Sequence, residues 1–479
     1  MRNFLRSVPI APKPDPKRSS IAMIRLPSKT LLAALAISIG AQFSHATESK
    51  RIYAQALVDQ ILTEHPELLV IGMHATAPGE TVNKMIATNL DRIGKVSDDD
   101  DLKVFSTGEP IAEPAKGRFE SLVAMKTATG KVIGAIGIVF MWKDGTDTSG
   151  FLPAANAIRD ELAAKIPSLE ALFEPAPDDG MLLHPGPTME IPYATGKFDF
   201  LEIDGARRRL LAAHEKSGTA DFFDLKTYLL LARVKTGPAV DIVPDPTSGK
   251  YFVSASEQKK VVVVDGATFK VLQEIPTEGE LDAILFDPKN RHVYVTNDEG
   301  SHVWAIDADS GKVVSTIDIP GAPEYMLYDS KADRIYLNIK GTNEIAVIDP
   351  SKDTIVARWS TAPATKPHGL AFDPKTGWLF SAGANGMLAI IDSNTGKSVG
   401  SVEIAKAVDQ ATFDPYTSRV YCACTDQISV VQETADGAKF LGNVATAKTA
   451  KNVAVDPTTH WVWTTFTDGA NSYVKSWRP

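Results

Sequence analysis

Cysteine is nearly absent, with two in 479 residues. That excludes a disulfide-built scaffold and any multi-cysteine zinc module. The pair stands as Cys422-Ala423-Cys424. Two apart on a strand they share one face, which suits packing, a strained local disulfide or a soft-metal pair. A basic excess is absent too: 50 Lys and Arg against 59 Asp and Glu leave a net charge of -9. A general nucleic-acid binder normally shows the opposite balance. Past residue 46 no apolar run approaches the ~20 residues of a membrane-spanning helix. Catalytic signatures are missing as well. No histidine pair has metalloprotease spacing and no serine sits in a glycine-flanked elbow. Asn394-Thr395-Gly396-Lys397-Ser398 imitates the tail of a phosphate loop, but Ile391 stands where the first glycine is required, so it reads as a hairpin turn.

What is present begins with an export pattern. Arg25 and Lys29 precede the apolar stretch Leu31 to Gly40, followed by Ser44-His45-Ala46. Basic, apolar, then small residues is the order of a secretory signal peptide, here cut after Ala46. Met23 is a natural start for it, which makes residues 1–22 an over-extended beginning. The other reading is an uncleaved anchor. Removing residues 1–46 takes away seven basic residues and one acidic one and leaves a charge of -15. The expectation is a periplasmic or secreted protein with no membrane span after cleavage and no nucleic-acid partner.

From residue 200 one phrase recurs: apolar residues, an aspartate, often a proline, a polar turn, then an alternating strand. It reads Phe286-Asp287-Pro288 before His292-Val293-Tyr294-Val295-Thr296-Asn297, and Phe372-Asp373-Pro374 before Trp378-Leu379-Phe380. The anchors Asp204, Asp245, Asp287, Asp329, Asp373, Asp414 and Asp456 are spaced 41, 42, 42, 44, 41 and 42 residues apart. An aspartate accepts hydrogen bonds from amides just ahead of it, and an adjacent proline presets the turn. About 20 residues on, Asp224, Asp265, Asp307, Asp349 and Asp392 close a second strand before turns such as Asp309-Ser310-Gly311-Lys312. Each repeat therefore reads as four short antiparallel strands, the blade of a β-propeller. The last repeat is one strand short, and Met189-Glu190-Ile191-Pro192 matches the fourth-strand phrase Gln273-Glu274-Ile275-Pro276. The fold class expected is mainly β: a seven-bladed propeller over 187–479, closed by that N-terminal strand. Tyr294-Val295-Thr296-Asn297, with its aspartate-proline turns, resembles the YVTN-repeat (YncE-like) family of propellers. That resemblance implies a fold and a binding surface and transfers no catalytic residues.

Residues 51–174 have another texture and read as a small α+β domain. The pattern gives a helix over Ala54 to His65, strands at Leu68 to Met73 and Met85 to Thr88, and a short helix after Asp98 to Asp101. Strands at Glu120 to Lys126 and Val132 to Trp142 follow, then a closing helix from Phe151 to Phe173. The run from Lys126 through Gly130-Lys131-Val132-Ile133-Gly134-Ala135-Ile136-Gly137 looks like the hairpin that ends PAS/Cache-type extracellular sensor domains. The resemblance implies a small organic ligand between the sheet and the short helix. His74, Asn89, Arg92 and Lys126 are the polar candidates for it, Arg92 as a bidentate partner for a carboxylate. Residues 175–186, rich in proline, read as a linker.

One constellation comes nearest to chemistry. Five residues before the anchors stand Asp199, Val240, Asp282, Glu324, His368, Asp409 and Lys451. In a propeller these positions ring one mouth of the central channel. Four carboxylates with an imidazole suit a hard or borderline cation or a polar ligand, although entry loops are also polar simply because they face water. The first reading is an exported protein- or ligand-binding protein with the propeller as platform. The rival is a hydrolase or lactonase-like enzyme using a divalent cation at the mouth.

Overall fold

The computed structural model describes residues 51–115, 118–142, 145–191 and 194–479. The signal segment 1–46 lies outside the described residues. Among the described residues no helix is long and apolar enough to cross a membrane.

The described residues begin with α1 (Tyr53–Glu64), β1 (Leu68–Thr76), β2 (Asn83–Thr88) and α2 (Asp99–Thr107), then β3 (Ile111–Ala115), β4 (Arg118–Lys126), β5 (Val132–Met141) and α3 (Phe151–Lys165). The strands form one antiparallel sheet in the order β2-β1-β5-β4-β3. Apolar residues at helical spacing, Leu57, Val58 and Ile61 of α1 with Ile158 and Leu162 of α3, bury Ile71, Met73, Ile136 and Ile138 of the sheet. Val104 of α2 packs with Ala124 and Ala135. The acidic run is a helix start: Asp98 accepts from the Asp101 amide at 3.2 Å and Asp101 returns the bond at 3.0 Å. This reciprocal cap satisfies amides that have no partner inside the helix. The closing helix stops at Lys165, short of the expected Phe173, because Pro167 forces Ile166 into an extended conformation. A single 3-10 turn, Glu170–Phe173, follows.

After it comes β6 (His184–Ile191), which begins inside the segment read as a linker. Residues 201–478 then form seven four-stranded antiparallel sheets, the seventh borrowing β6 as its outer strand. Ile191 pairs with Ser472, Glu190 with Tyr473 and Met189 with Val474. The first strand of each sheet touches the first strand of the next, and the seventh sheet returns to the first. Within a sheet the inner strands are buried, as in Glu344–Asp349, while the outer strand Thr354–Ser360 alternates exposed and half-buried residues.

The repeated aspartates explain the period. Asp245 accepts from the Thr247 and Ser248 amides at 2.9 and 3.2 Å, and Asp373 from Lys375 and Thr376 at 2.9 and 3.0 Å. Asp414 does the same with Tyr416 and Thr417. The anchors also tie neighbouring sheets together. Tyr251 donates to Asp204 at 2.8 Å, Arg291 reaches Asp245 at 2.9 Å, His460 meets Asp414 at 2.9 Å, and Arg208 of the first sheet pairs with Asp456 of the seventh. Cys422 and Cys424 are free thiols, buried among the apolar side chains of the fifth and sixth sheets.

Candidate functional site

The channel mouth is built by a recurring irregularity. Strand pairing shifts register between Leu281 and Ile284, Pro323 and Met326, Pro367 and Leu370, and Val408 and Gln410. Asp282, Glu324, His368 and Asp409 occupy these shifts. A bulge of this kind re-aims a side chain at a sheet end. Val240 sits in the matching shift of the second sheet and is buried, so that position contributes no charge; its neighbour Asp241 instead accepts from the Ile284 amide of the third sheet at 3.0 Å.

Once aimed inward, the charges join across sheets. Glu324 lies 3.2 Å from His368 Nδ1, His368 lies 3.9 Å from Asp409, and Asp409 meets Lys451 Nζ at 2.7 Å. Two lysines not anticipated from the repeats join them: Lys340 bridges Glu324 at 2.5 Å and Glu299 at 2.6 Å, and Lys197 bridges Asp199 at 2.8 Å and Glu215 at 2.7 Å. Glu215, Asp298 and Lys340 each follow the second strand of their sheet. A tally of that position along the repeats would have found this second ring. Burial lowers the affinity of the His368 imidazole for its proton, but Glu324 and Asp409 outweigh it and leave the pKa raised. Asp282 is raised well above the carboxylate range by burial and by the nearby Glu324 and Asp199. Among the described residues neither Asp282 nor Asp298 has an ion-pair partner. No group of three or more His, Cys, Asp or Glu among the described residues is arranged to hold a metal ion.

Deeper in the channel, Gln410 accepts from the Leu201 and Val453 amides at 3.2 and 3.1 Å, locking three sheets together. Beside it Tyr325 donates to Glu202 in a space of about 200 Å³. Burial pushes the Glu202 carboxyl up to about 7.

A second, larger space of about 840 Å³ lies between the five-stranded sheet and the outer parts of the first and seventh sheets. Its lining includes Gly72, His74 and Gly137 on one side and Met189 and Tyr228 on the other. Of the four candidates in this region, His74 and Arg92 line the cavity. Asn89 and Lys126 do not. The Asn89 amide is engaged by its own strand neighbour, accepting from Ile71 N at 3.1 Å and donating to the Leu69 carbonyl at 2.9 Å, so it pins β1. Lys126 closes β4 at the hairpin. His74 Nδ1 meets Ser97 Oγ at 2.8 Å and Asp101 at 3.1 Å, and burial holds its pKa down at about 4. The expected ligand space between sheet and short helix is thus roofed instead by propeller strands that lie well beyond this region in the chain. Sequence spacing carries no sign of that.

No protein-family model and no curated protein matches the chain. Its fold does have solved counterparts. The chain is similar to a chain of the hydrazine synthase of Kuenenia stuttgartiensis, with a TM-score of 0.52 at 13% identity, covering 59% of this chain and 94% of that one. It is similar to a chain in the crystal structure of the mitotic checkpoint complex, with a TM-score of 0.54 at 11% identity, covering 62% and 91%. At these identities the likeness concerns the fold alone, which is of the β-propeller type.

Proposed function

We propose that the chain is an exported binding protein, a seven-bladed YVTN-type propeller joined to a Cache-like module. Its channel mouth would dock a basic side chain of a protein partner. The observation that carries this reading is the charge arrangement at the mouth. Lysines hold Asp199, Glu324 and Asp409, while the half-buried Asp282 has no ion pair among the described residues. An incoming ammonium or guanidinium favours the ionised form of such a carboxyl and pairs with it. The likeness to a chain in the mitotic checkpoint complex adds support for a platform role. The sheet order β2-β1-β5-β4-β3, flanked by helices, supports a Cache-like module. The rival reading, a metal-assisted hydrolase, draws no support from a mouth in which three of the four carboxylates are already held by ammonium groups. Native mass spectrometry of the protein purified from its own host tests the proposal. A partner or basic ligand should be retained by the wild type and lost from the Asp282→Asn, Glu324→Gln double variant. Equal retention by both would contradict it.

A further inference from the structure

The cavity between the five-stranded sheet and the propeller strands has an unusual floor. Gly72 of β1 and Gly137 of β5 are directly paired across the centre of the sheet, and both face the cavity. Glycine weakens a strand interior, and it is found there where a ligand or another backbone comes close. No backbone crowds this pair. A Cβ on Gly137 would meet nothing nearer than Leu122 Cδ1 at 3.9 Å, and one on Gly72 would meet first the Met85 methyl at 3.2 Å. The bare backbone therefore opens onto free space rather than onto a neighbouring chain.

The walls and the charge complete the site. Met85, Leu90 and Met141 offer adaptable apolar contact, and Trp142 and Tyr228 supply aromatic faces. About 840 Å³ lies within the usual range for a pocket that encloses a small organic molecule. Arg118 is held by Glu120 at 2.5 Å, and Glu190 has a partner of its own. The Arg92 guanidinium makes a single hydrogen bond among the described residues, a long one of 3.5 Å to the Lys226 carbonyl. It is the cation left for an incoming acid.

We propose that this cavity binds a planar organic anion, an aromatic acid whose ring lies on the Gly72–Gly137 floor and whose carboxylate pairs with Arg92. This rests on the reading of the chain as a binding protein and adds a ligand class at a site separate from the channel mouth. The probes are 1-naphthoate, 1-naphthalenemethanol, 1-naphthylmethylamine and the saturated, non-planar decahydronaphthalene-1-carboxylate, titrated calorimetrically into the full chain. Naphthoate should bind at least about tenfold more tightly than the alcohol and the saturated acid, and the amine should not bind. Arg92→Ala should remove the preference for naphthoate over the alcohol while leaving the alcohol's affinity in place. Gly137→Leu should fill the floor and abolish binding of both. Should Gly137→Leu fail to fold, the Arg92→Ala comparison decides alone. No binding of naphthoate, equal binding of the amine, or an unchanged preference in Arg92→Ala would each overturn the proposal. Spermidine is titrated in parallel, so a failure of the cavity and a failure of the mouth to bind a cation are read separately.

Discussion

Residues 51–174 and 201–478 use polar side chains in opposite ways. In the repeated sheets a polar residue does one job many times. Asp245, Asp373 and Asp414 each accept turn amides, and several anchors also hold a residue of the adjoining sheet. In the N-terminal region each polar residue has a job of its own. Asn89 pins a strand, Asp98 caps a helix, and Gln55 accepts from the Thr88 amide at 3.1 Å while donating to Asp59 at 2.9 Å. Repetition makes a role readable from the chain alone. A unique role shows only once the partners are in place.

The sharpest test of the comparison removes what joins the two regions. Deleting β6 leaves the last strand, Asn471–Arg478, with an unpaired edge and strips Met189 and Ile191 from the core of the first and seventh sheets. Burying two such side chains contributes several kcal/mol, and an open edge invites aggregation. Removal should therefore abolish the cooperative thermal transition, whereas removal of residues 51–174 should leave the sheets folded. A harmless β6 deletion would break the account of closure.

Next in size is the seam. Asp59, 2% exposed, binds Arg51 and Gln55 of its own region and Arg478 of the last strand. Asp59→Ala takes the carboxylate from the half-buried Arg478, which keeps only its bonds to the Pro185 carbonyl, at a cost of about 2 kcal/mol. Differential scanning calorimetry should show two transitions where the wild type shows one.

A third test concerns the channel. The folded Glu202 carboxyl titrates at about 7 rather than 4.5, because burial outweighs the hydrogen bond from Tyr325. Its contribution to stability is present below the unfolded value and is lost as the pH rises toward 7. Its titration should contribute about 2 kcal/mol to the fall in urea stability between pH 5 and pH 8, beside the raised Asp199 and Glu433. Glu202→Gln should remove that share of the slope and leave the rest.

The smallest effect compares two aspartates within one fold. Asp373→Ala loses two turn amides and should cost about 1–2 kcal/mol. Asp436, at an exposed turn where it accepts from the Thr434 hydroxyl, should cost under about 0.5 kcal/mol when replaced by alanine. Chemical unfolding of both variants measures the contrast.

How much of this could be read beforehand follows the same division. The anchors, their period and the borrowed strand at Glu190-Ile191 were legible because aspartate-turn chemistry and alternation repeat. The mouth was legible in part. Counting back from the anchors locates Asp282, Glu324, His368 and Asp409, but the bulges that aim them have no residue signature. Lys340 and Lys197 were missed because they belong to a different register of the repeat. The cavity was hardly legible at all. His74 and Arg92 look like ordinary polar residues until Tyr228 and Met189 are brought over them, and Gly137 passes for part of a hairpin.

The mouth supports the most direct measurement of the central claim, that this ring of charges is built to receive a cation. Thermal shift is recorded for the wild type and the Asp282→Asn, Glu324→Gln double variant with spermidine, a lysine-rich peptide, and calcium, magnesium, manganese and zinc ions. Binding to the folded state alone raises stability by about 2.7 kcal/mol at 100 times the dissociation constant. The organic cations should raise the wild-type midpoint and leave the variant's unmoved, with the metal ions acting weakly on both. Equal shifts in the two proteins, or none from any cation, would mean that the ring is only a polar rim.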